Sequence, residues 1–369
     1  MDKIRVGIIG LGFIGMQHLD ALHRVPGVEI TAVCDSREGV AKDVAERWGI
    51  GKAYTDWRQL TDDPEIDAVH NCTPNSLHDM INERTILNGK HIYCEKPLSD
   101  STAEARRLWK LAEVRGVAHG VNHQYRMNAA VQEMQTRLLN GEAGRPLLVC
   151  GHYMQESASR DTDYTVKMEN TGIARVVNDI GIHFIDTVCC AMNSPVTAVM
   201  AELTTHFPIR TDALGNKHAM DTEDSAVILL RFGNGVTGTL TTTKVANGHK
   251  NDLAVQILCD GCSLEWQQES PDRLVIGEKG VGRRELYMSP QLVHDEVKPW
   301  VTTPAGHTMG WPDALRNALV AYYGSIRDGS WREKEQVYCT FRDGVLGTAF
   351  IEACVRSSEL KQWVEVEQP

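Results

Sequence analysis

The chain has 369 residues, a formal net charge of −11, and a composition that is 42% hydrophobic and 24% charged. That length exceeds one ordinary core and suits two domains. The acidic balance argues against nucleic acid as a partner, because a phosphate backbone wants a basic face. No stretch reaches the roughly 18 uninterrupted apolar residues of a membrane span. The chain opens directly on "KIRVGIIG", without the basic, apolar and cleavage regions of a signal peptide, so a cytoplasmic setting is expected.

The first 120 or so residues alternate strand and helix patterns. "KIRVGIIG" reads as a strand, "MQHLDALHRV" as a helix, "VEITAVCD" as a strand and "EGVAKDVAERWG" as a helix. "IDAVHNCTP", "KHIYCEKP" and "VAHGVNHQY" are further strands. Between them lie the helices "SLHDMINERTILNG" and "STAEARRLWKLAEVRG", the second opened by a Ser101 to Glu104 capping box. Buried strands in βαβ order predict an α/β fold with a doubly wound parallel sheet. After residue 124 the rhythm changes. Helix "AAVQEMQTRLLNG" precedes strand "LLVCGHYMQE", a polar loop and the helical run "NDIGIHFID". The stretches "VTAVMAELTTHF", "SAVILLRFGNG", "VTGTLTTTK", "LAVQILCDG" and "SLEW" read as hairpins of a mostly antiparallel sheet, and two helices close the chain. The expected domains are 1–124 and 125–369.

Ten cysteines are scattered, and many sit in apolar runs. The one Cys-x-x-Cys, Cys259 to Cys262, encloses Asp260-Gly261, which reads as a hairpin turn. A zinc site would need a second ligand pair, so no metal is expected.

"GLGFIG" matches G-x-G-x-x-G through Gly10, Gly12 and Gly15, with Phe13 and Ile14 between the last two. It follows the first strand and opens the first helix, where backbone N–H groups can hold a pyrophosphate. Asp35, in "AVCDSR", stands at the end of the second strand, about 20 residues on, where an acid can accept from ribose hydroxyls. Asp35 favours NAD. Ser36 and Arg37 follow it, and Arg37 leaves NADP open, since an arginine can hold a 2′-phosphate. Loops at strand carboxyl ends line the ligand crevice of such sheets. That places Cys72, Thr73, Pro74, Asn75 and His78 to meet cofactor; His78 reads equally as a solvated helix-start histidine. Lys96, between Glu95 and Pro97, points into the same crevice, and alone it reads equally as a surface ion pair. In "NDIGIHFID", Asp179 and His183 are i and i+4 on a helix and face one way. Asp186 follows on the same side and could orient His183. Gly181 would admit cofactor or sugar closely.

Taken together, "GLGFIG", "TPNSLH", "EKP" and "DIGIHFID" resemble the glucose–fructose oxidoreductase / inositol dehydrogenase / MocA family over essentially the whole chain. The resemblance implies a nicotinamide-binding Rossmann domain and an α/β domain with a large, mostly antiparallel sheet. It implies sugar, inositol or polyol substrates, and dimers, tetramers or higher homo-oligomers through the open sheet face. Lys96, Asp179 and His183 match its catalytic positions, and Gln124 completes the cofactor set. Oxidising a secondary alcohol needs a proton acceptor that titrates near working pH. His183 would accept the proton, Lys96 would polarise the hydroxyl or share the proton, and Asp179 would anchor a neighbouring hydroxyl. His183 and Lys96 could exchange roles.

Further stretches resemble the levoglucosan dehydrogenase and glycoside 3-dehydrogenase branch. They bring Tyr125, Tyr153, Gln155, Arg175, His307 and Trp311 into the expected substrate set. Arg175 reads nearly as well as a surface salt bridge, and Trp311 equally as an apolar helix start. Tyr164 and Lys167 depart from the branch, which tends to have tryptophan and arginine there. The expected reaction is oxidation of the C3 hydroxyl of a glucosyl unit. Inositol oxidation is an alternative. Another is glycoside cleavage through transient C3 oxidation, with Tyr125, Tyr153 or His307 as an added base near C2. A non-catalytic NAD sensor would have no need of a proton acceptor.

Overall fold

The computed structural model describes residues 3–169, 171–333 and 335–369, apart from the side chains of Lys167 and Glu169. The Lys167 side chain, one of the departures named above, thus lies outside the described set. The chain forms two compact units. One comprises Met1–Gln124 and Pro312–Val345, the other Tyr125–Trp311 and Leu346–Gln368. Among the described residues no helix is long and apolar enough to cross a membrane.

The first unit is built on six parallel strands: β1 (Ile4–Ile9), β2 (Val28–Cys34), β3 (Lys52–Tyr54), β4 (Ala68–Asn71), β5 (His91–Cys94) and β6 (His119–Val121). Their spatial order is β3-β2-β1-β4-β5-β6, a doubly wound sheet with its switch point between β1 and β4. The connecting helices are α1 (Phe13–His23), α2 (Glu38–Trp48), α3 (Trp57–Asp62), α4 (His78–Leu87) and α5 (Thr102–Arg115). All of β4 is buried, as expected of a strand covered on both faces. The Ser101 hydroxyl accepts from Glu104 N at α5, so the capping residue predicted there does cap.

Sequence order assigns 312–345 to the second region, yet it clusters with the first unit. The reason is side-chain chemistry. The Tyr322 hydroxyl donates to Ile92 O and Ala118 O at 3.0 and 3.1 Å. Phe341 and Val345 join the apolar core under the sheet. Cys339 O accepts from Val121 N, which gives edge strand β6 an outer partner.

The second unit opens with α6 (Ala129–Leu139) and β7 (Pro146–Met154). A π-helical turn, Val177–Gly181, leads into α7 (Ile182–Met192). Next come β8 (Val196–Thr204), a small hairpin of β9 (Ile209–Thr211) and β10 (Lys217–Ala219), β11 (Ser225–Phe232) and β12 (Thr237–Thr243). The strands β13 (Asp252–Cys259), β14 (Cys262–Gln267), β15 (Arg273–Glu278) and β16 (Gly282–Tyr287) follow. Helices α8 (Trp311–Asp328) and α9 (Phe341–Leu360) and the short β17 (Val364–Glu365) end the chain. Nine of these strands form one sheet, β16-β15-β14-β13-β7-β12-β11-β8-β17. It is mostly antiparallel, as predicted, with β7 and β12 as its parallel pair. Asp260 and Gly261 make the turn between β13 and β14.

Residues of α6, α7 and α9, such as Met134, Phe184 and Phe350, pack with the sheet into one core. Each large apolar side chain buried this way contributes about 1.5–3 kcal/mol. Strand β11 alternates between buried and exposed positions, and Val227 and Leu229 lie on its open face.

Candidate functional site

In the first unit the glycine loop is shaped by three distinct constraints. Gly10 has φ +90°, and a Cβ there would lie 2.5 Å from Cys72 O. A Cβ on Gly15 would lie 1.8 Å from Gly10 O, so α1 packs against the turn with no room for a side chain. Around Gly12 nothing lies within 4 Å of a built Cβ, which leaves space for a ligand. Gly12 caps α1 without a side chain, and Phe13 beside it is exposed. First-turn amides of a helix lack intrahelical acceptors and suit an anion.

Asp35 is buried and tied to this loop: its carboxylate accepts from Leu11 N at 3.0 Å. It also accepts from Arg37 N at 3.0 Å and from Arg37 Nε and Nη2 at 2.9 and 3.0 Å. Burial pushes this carboxyl up, but the Arg37 guanidinium and the two amides outweigh it and hold it below the usual range. The loop and an ionised acid are what a dinucleotide requires: diphosphate on the helix start, ribose on the carboxylate.

Asn71 ends β4, and its side-chain oxygen accepts from the Thr73 hydroxyl at 2.7 Å. Cys72 is buried, and Pro74 leads into the short 3₁₀ turn Asn75–Leu77. His78 is neither solvated nor directed outward. It is fully buried, with Nδ1 2.7 Å from Pro97 O and Nε2 3.0 Å from Thr73 O. It therefore braces the β4 loop against the loop after β5. On that loop Glu95 Oε2 accepts from Lys96 N at 3.2 Å, and the Lys96–Pro97 peptide is cis. Gln124 is buried at the end of this unit's first segment.

In the second unit the motif helix is anchored by acids that sequence reading did not single out. The Glu223 carboxylate accepts from the backbone N–H groups of Arg175, Val176 and Val177 at 2.7–3.1 Å, capping the π-helical turn. Arg175 is 2% exposed and pairs with Asp224, as does Arg210. It is a buried strut, neither a surface salt bridge nor an outward-reaching arm. Asp179, on the turn, forms an ion pair with Lys244, which follows β12. Asp186 was expected to orient His183. Both of its oxygens are instead taken by Arg126 Nε and Nη2. A Cβ on Gly181 would meet Thr242 Cγ2 at 3.4 Å, an ordinary contact, so packing within this unit does not demand glycine.

His183 lies on α7 against the Tyr125 ring, centroids 5.0 Å apart and edge-on, with Tyr153 at 6.4 Å. The two tyrosine hydroxyls are 3.0 Å apart. Asn251 links them: its Nδ2 donates to Tyr125 OH at 3.0 Å, and its Oδ1 accepts from Tyr153 OH at 2.5 Å and from Gln155 Nε2 at 3.1 Å. The predicted residues Tyr125, Tyr153, Gln155 and His183 thus gather in one place, with Asn251 added. Burial, then Tyr125 and Asp179, push the Tyr153 phenol well above its usual value, so it acts as a donor and not a base. His307 sits on an exposed turn, and Trp311 is half-buried against the core at the start of α8. Lys244 and Asn251 close "VTGTLTTTK" and "ANGHKN", polar stretches in which neither residue stands out from its neighbours.

Residues 4–123 match the oxidoreductase family model described as an NAD-binding Rossmann fold, and residues 131–265 match the GFO/IDH/MocA C-terminal domain. The chain is 28% identical to levoglucosan dehydrogenase of Pseudarthrobacter phenanthrenivorans, over 100% of this chain and 99% of that one. It is 28% identical to myo-inositol 2-dehydrogenase of Thermotoga maritima, over 66% of this chain and 69% of that one. The solved structure of levoglucosan dehydrogenase with NADH and L-sorbose is similar over 100% of both chains, with 26% identity and a TM-score of 0.92. The glycine loop, the buried Asp35 and the two-part architecture agree with these likenesses, and the chain belongs to the GFO/IDH/MocA family of NAD-dependent oxidoreductases.

Proposed function

We propose that this enzyme oxidises the C3 hydroxyl of a glucosyl unit, in a sugar or glycoside, to the 3-oxo sugar. The observation that carries the reading is the cluster of His183, Tyr125, Tyr153, Gln155 and Asn251, next to the Asp179–Lys244 pair, in a chain similar along its full length to levoglucosan dehydrogenase. Bound NAD supplies the hydride acceptor for the carbinol carbon. The chain supplies the rest. His183 takes the hydroxyl proton, and as an imidazole it does so near neutral pH. Lys96 polarises the same hydroxyl. Asp179, paired with Lys244, accepts from a neighbouring hydroxyl. Tyr125, Tyr153 and Gln155 offer further hydrogen bonds on the polyol, which must be matched because an unpaired buried polar group is costly.

Incubation with NAD and a panel of glucosides, with mass spectrometry for products two mass units lighter, tests this. Absence of oxidation across hexosides would overturn it. Turnover of myo-inositol in preference to glucosides would favour inositol oxidation, the reading that the Thermotoga relative supports. Cleavage of glycosides is supported less, since the Tyr153 phenol is held protonated and makes a poor base for C2. The open face carrying Val227, Leu229 and Met200 is the surface we assign to self-association.

A further inference from the structure

Directly behind Lys96, the first unit buries a chain of four polar side chains from four elements. Glu95 Oε1 lies 2.9 Å from His18 Nε2 on α1. His18 Nδ1 lies 2.7 Å from His70 Nδ1 on β4. His70 Nε2 lies 2.8 Å from the Tyr323 hydroxyl on α8. His18, His70 and Tyr323 are fully buried, and Glu95 is 7% exposed. None of the three is required to fold a parallel sheet, where apolar residues would serve at these positions.

The proton count along this chain admits one economical solution. Two imidazole nitrogens 2.7 Å apart must share one hydrogen. Placing it on His70 Nδ1 leaves His70 Nε2 to accept from Tyr323 and leaves His18 Nε2–H to donate to Glu95. Every group is then satisfied, both rings are neutral, and the carboxylate is the only charge in the chain. The opposite polarity needs a second proton on His18 or a protonated Glu95. Burial opposes a charge on His70 and holds it well below its ordinary value. Burial also pushes Glu95 up, but His18, through its hydrogen bond and its charge when protonated, then the charge of Lys96 and the hydrogen bond from Asn122 outweigh it and hold the carboxyl below its ordinary value. Asn122 Nδ2 donates to the same oxygen at 2.6 Å. The other titratable neighbours carry no opposing charge: burial holds Cys72, Cys94 and Tyr322 in their neutral forms and lowers His78, and Tyr93 stacks on His70.

We infer that His18, His70 and Tyr323 are positioning residues that keep Glu95 ionised, and that Glu95 in turn keeps Lys96 an ammonium. The division of labour follows, resting on the function proposed above. Lys96 is the charged donor that polarises the substrate hydroxyl, and the proton acceptor is His183. The chain holds its protons in fixed places and passes none through, since Tyr323, at its far end, is buried.

Nuclear magnetic resonance of protein labelled with ¹⁵N-histidine and ¹³C-lysine tests this without any substrate. The expected pattern is His70 as the Nδ1–H tautomer and His18 as the Nε2–H tautomer. Glu95→Gln retains an oxygen to accept from His18, so the tautomers should persist while the Lys96 titration falls by about one unit. A doubly protonated His18, or His70 as its Nε2–H tautomer, would overturn the assignment of the chain. A Lys96 titration unmoved by Glu95→Gln would overturn its purpose. If Glu95→Gln fails to fold, Tyr323→Phe serves: it should destabilise the His70 Nδ1–H tautomer, and an unchanged histidine pattern would count against the chain. In activity assays the alkaline limb of kcat/KM should move to lower pH in Glu95→Gln. Because the resonance readout needs no turnover, a protein that oxidises no sugar would sink the function proposed above and leave this test standing.

Discussion

The two units bury charge in different ways. In the first, the Glu95 carboxylate lies against His18 and accepts from Asn122, at one end of a hydrogen-bonded chain. In the second, charge is set directly against charge: Asp224 between Arg175 and Arg210, Asp186 on Arg126, and Asp179 on Lys244. The difference teaches where each unit is fragile. A neutral donor left behind by a mutation costs one hydrogen bond. A buried cation left behind has no water to turn to.

The largest effect should come from Asp224→Asn. Arg175 and Arg210 are 2% and 0% exposed, and both use the same Asp224 oxygen. The loss should be about 3–5 kcal/mol, read by calorimetry; a loss below about 1 kcal/mol would erase the contrast between the units. Acid sharpens the same point. Burial raises the Asp224 carboxyl, but the Phe207 amide and the two arginines pull it below its ordinary 3.8. Its contribution is therefore fully present above pH 3.8 and fades as pH falls through the lower folded value. The gap in melting temperature between wild type and Asp224→Asn should narrow below that pH.

Lys244→Met should leave Asp179 without its cation. A fall of about 10- to 100-fold in kcat/KM is expected, with NADH affinity unchanged in a fluorescence titration. Glu95→Gln should cost only about 1 kcal/mol in stability, since His18 and Asn122 remain paired to the amide oxygen and only the Lys96 N–H loses its acceptor. Finding it as costly as Asp224→Asn would mean the two designs are energetically alike. The smallest effect belongs to Arg37→Ala. That side chain is 64% exposed, so solvent screens its pair with Asp35, and NADH should bind within about fivefold of wild type. Preference for NADH over NADPH should rise, as measured by the ratio of the two dissociation constants.

Local signals carried much of this into the sequence. "GLGFIG" and Asp35 are legible because the turn, the close approach and the acid lie within one βαβ unit. The β13–β14 turn is legible because Asp260-Gly261 is a two-residue hairpin signal. The parallel pairing of β7 with β12 was not, since those strands are far apart in sequence and a strand's own pattern says nothing of its neighbour. Strand β16 escaped for another reason: "GRRELY" is nearly all exposed and shows no alternation. Arg175 and His78 were located but not understood. The acid of Arg175 lies 49 residues away, and one of the carbonyls that hold His78 lies 19 away. Periodicity reports the face a residue occupies and leaves its partner unnamed. The hairpin chemistry of "CDGC" was local, and the chain Glu95–His18–His70–Tyr323 was wholly non-local, which is why only the first could be read in advance.

His78 has one more consequence. Its ring rivets Thr73 O to Pro97 O, so the loop beyond β4 and the loop beyond β5 behave mechanically as one part. A change that shifted one would drag the other, and Lys96 beside Pro97 with it. Such a part resists tinkering. Drift in substrate preference among chains of this design should therefore accumulate around Gln155 and Asn251, where side chains answer to one another and not to a shared pin.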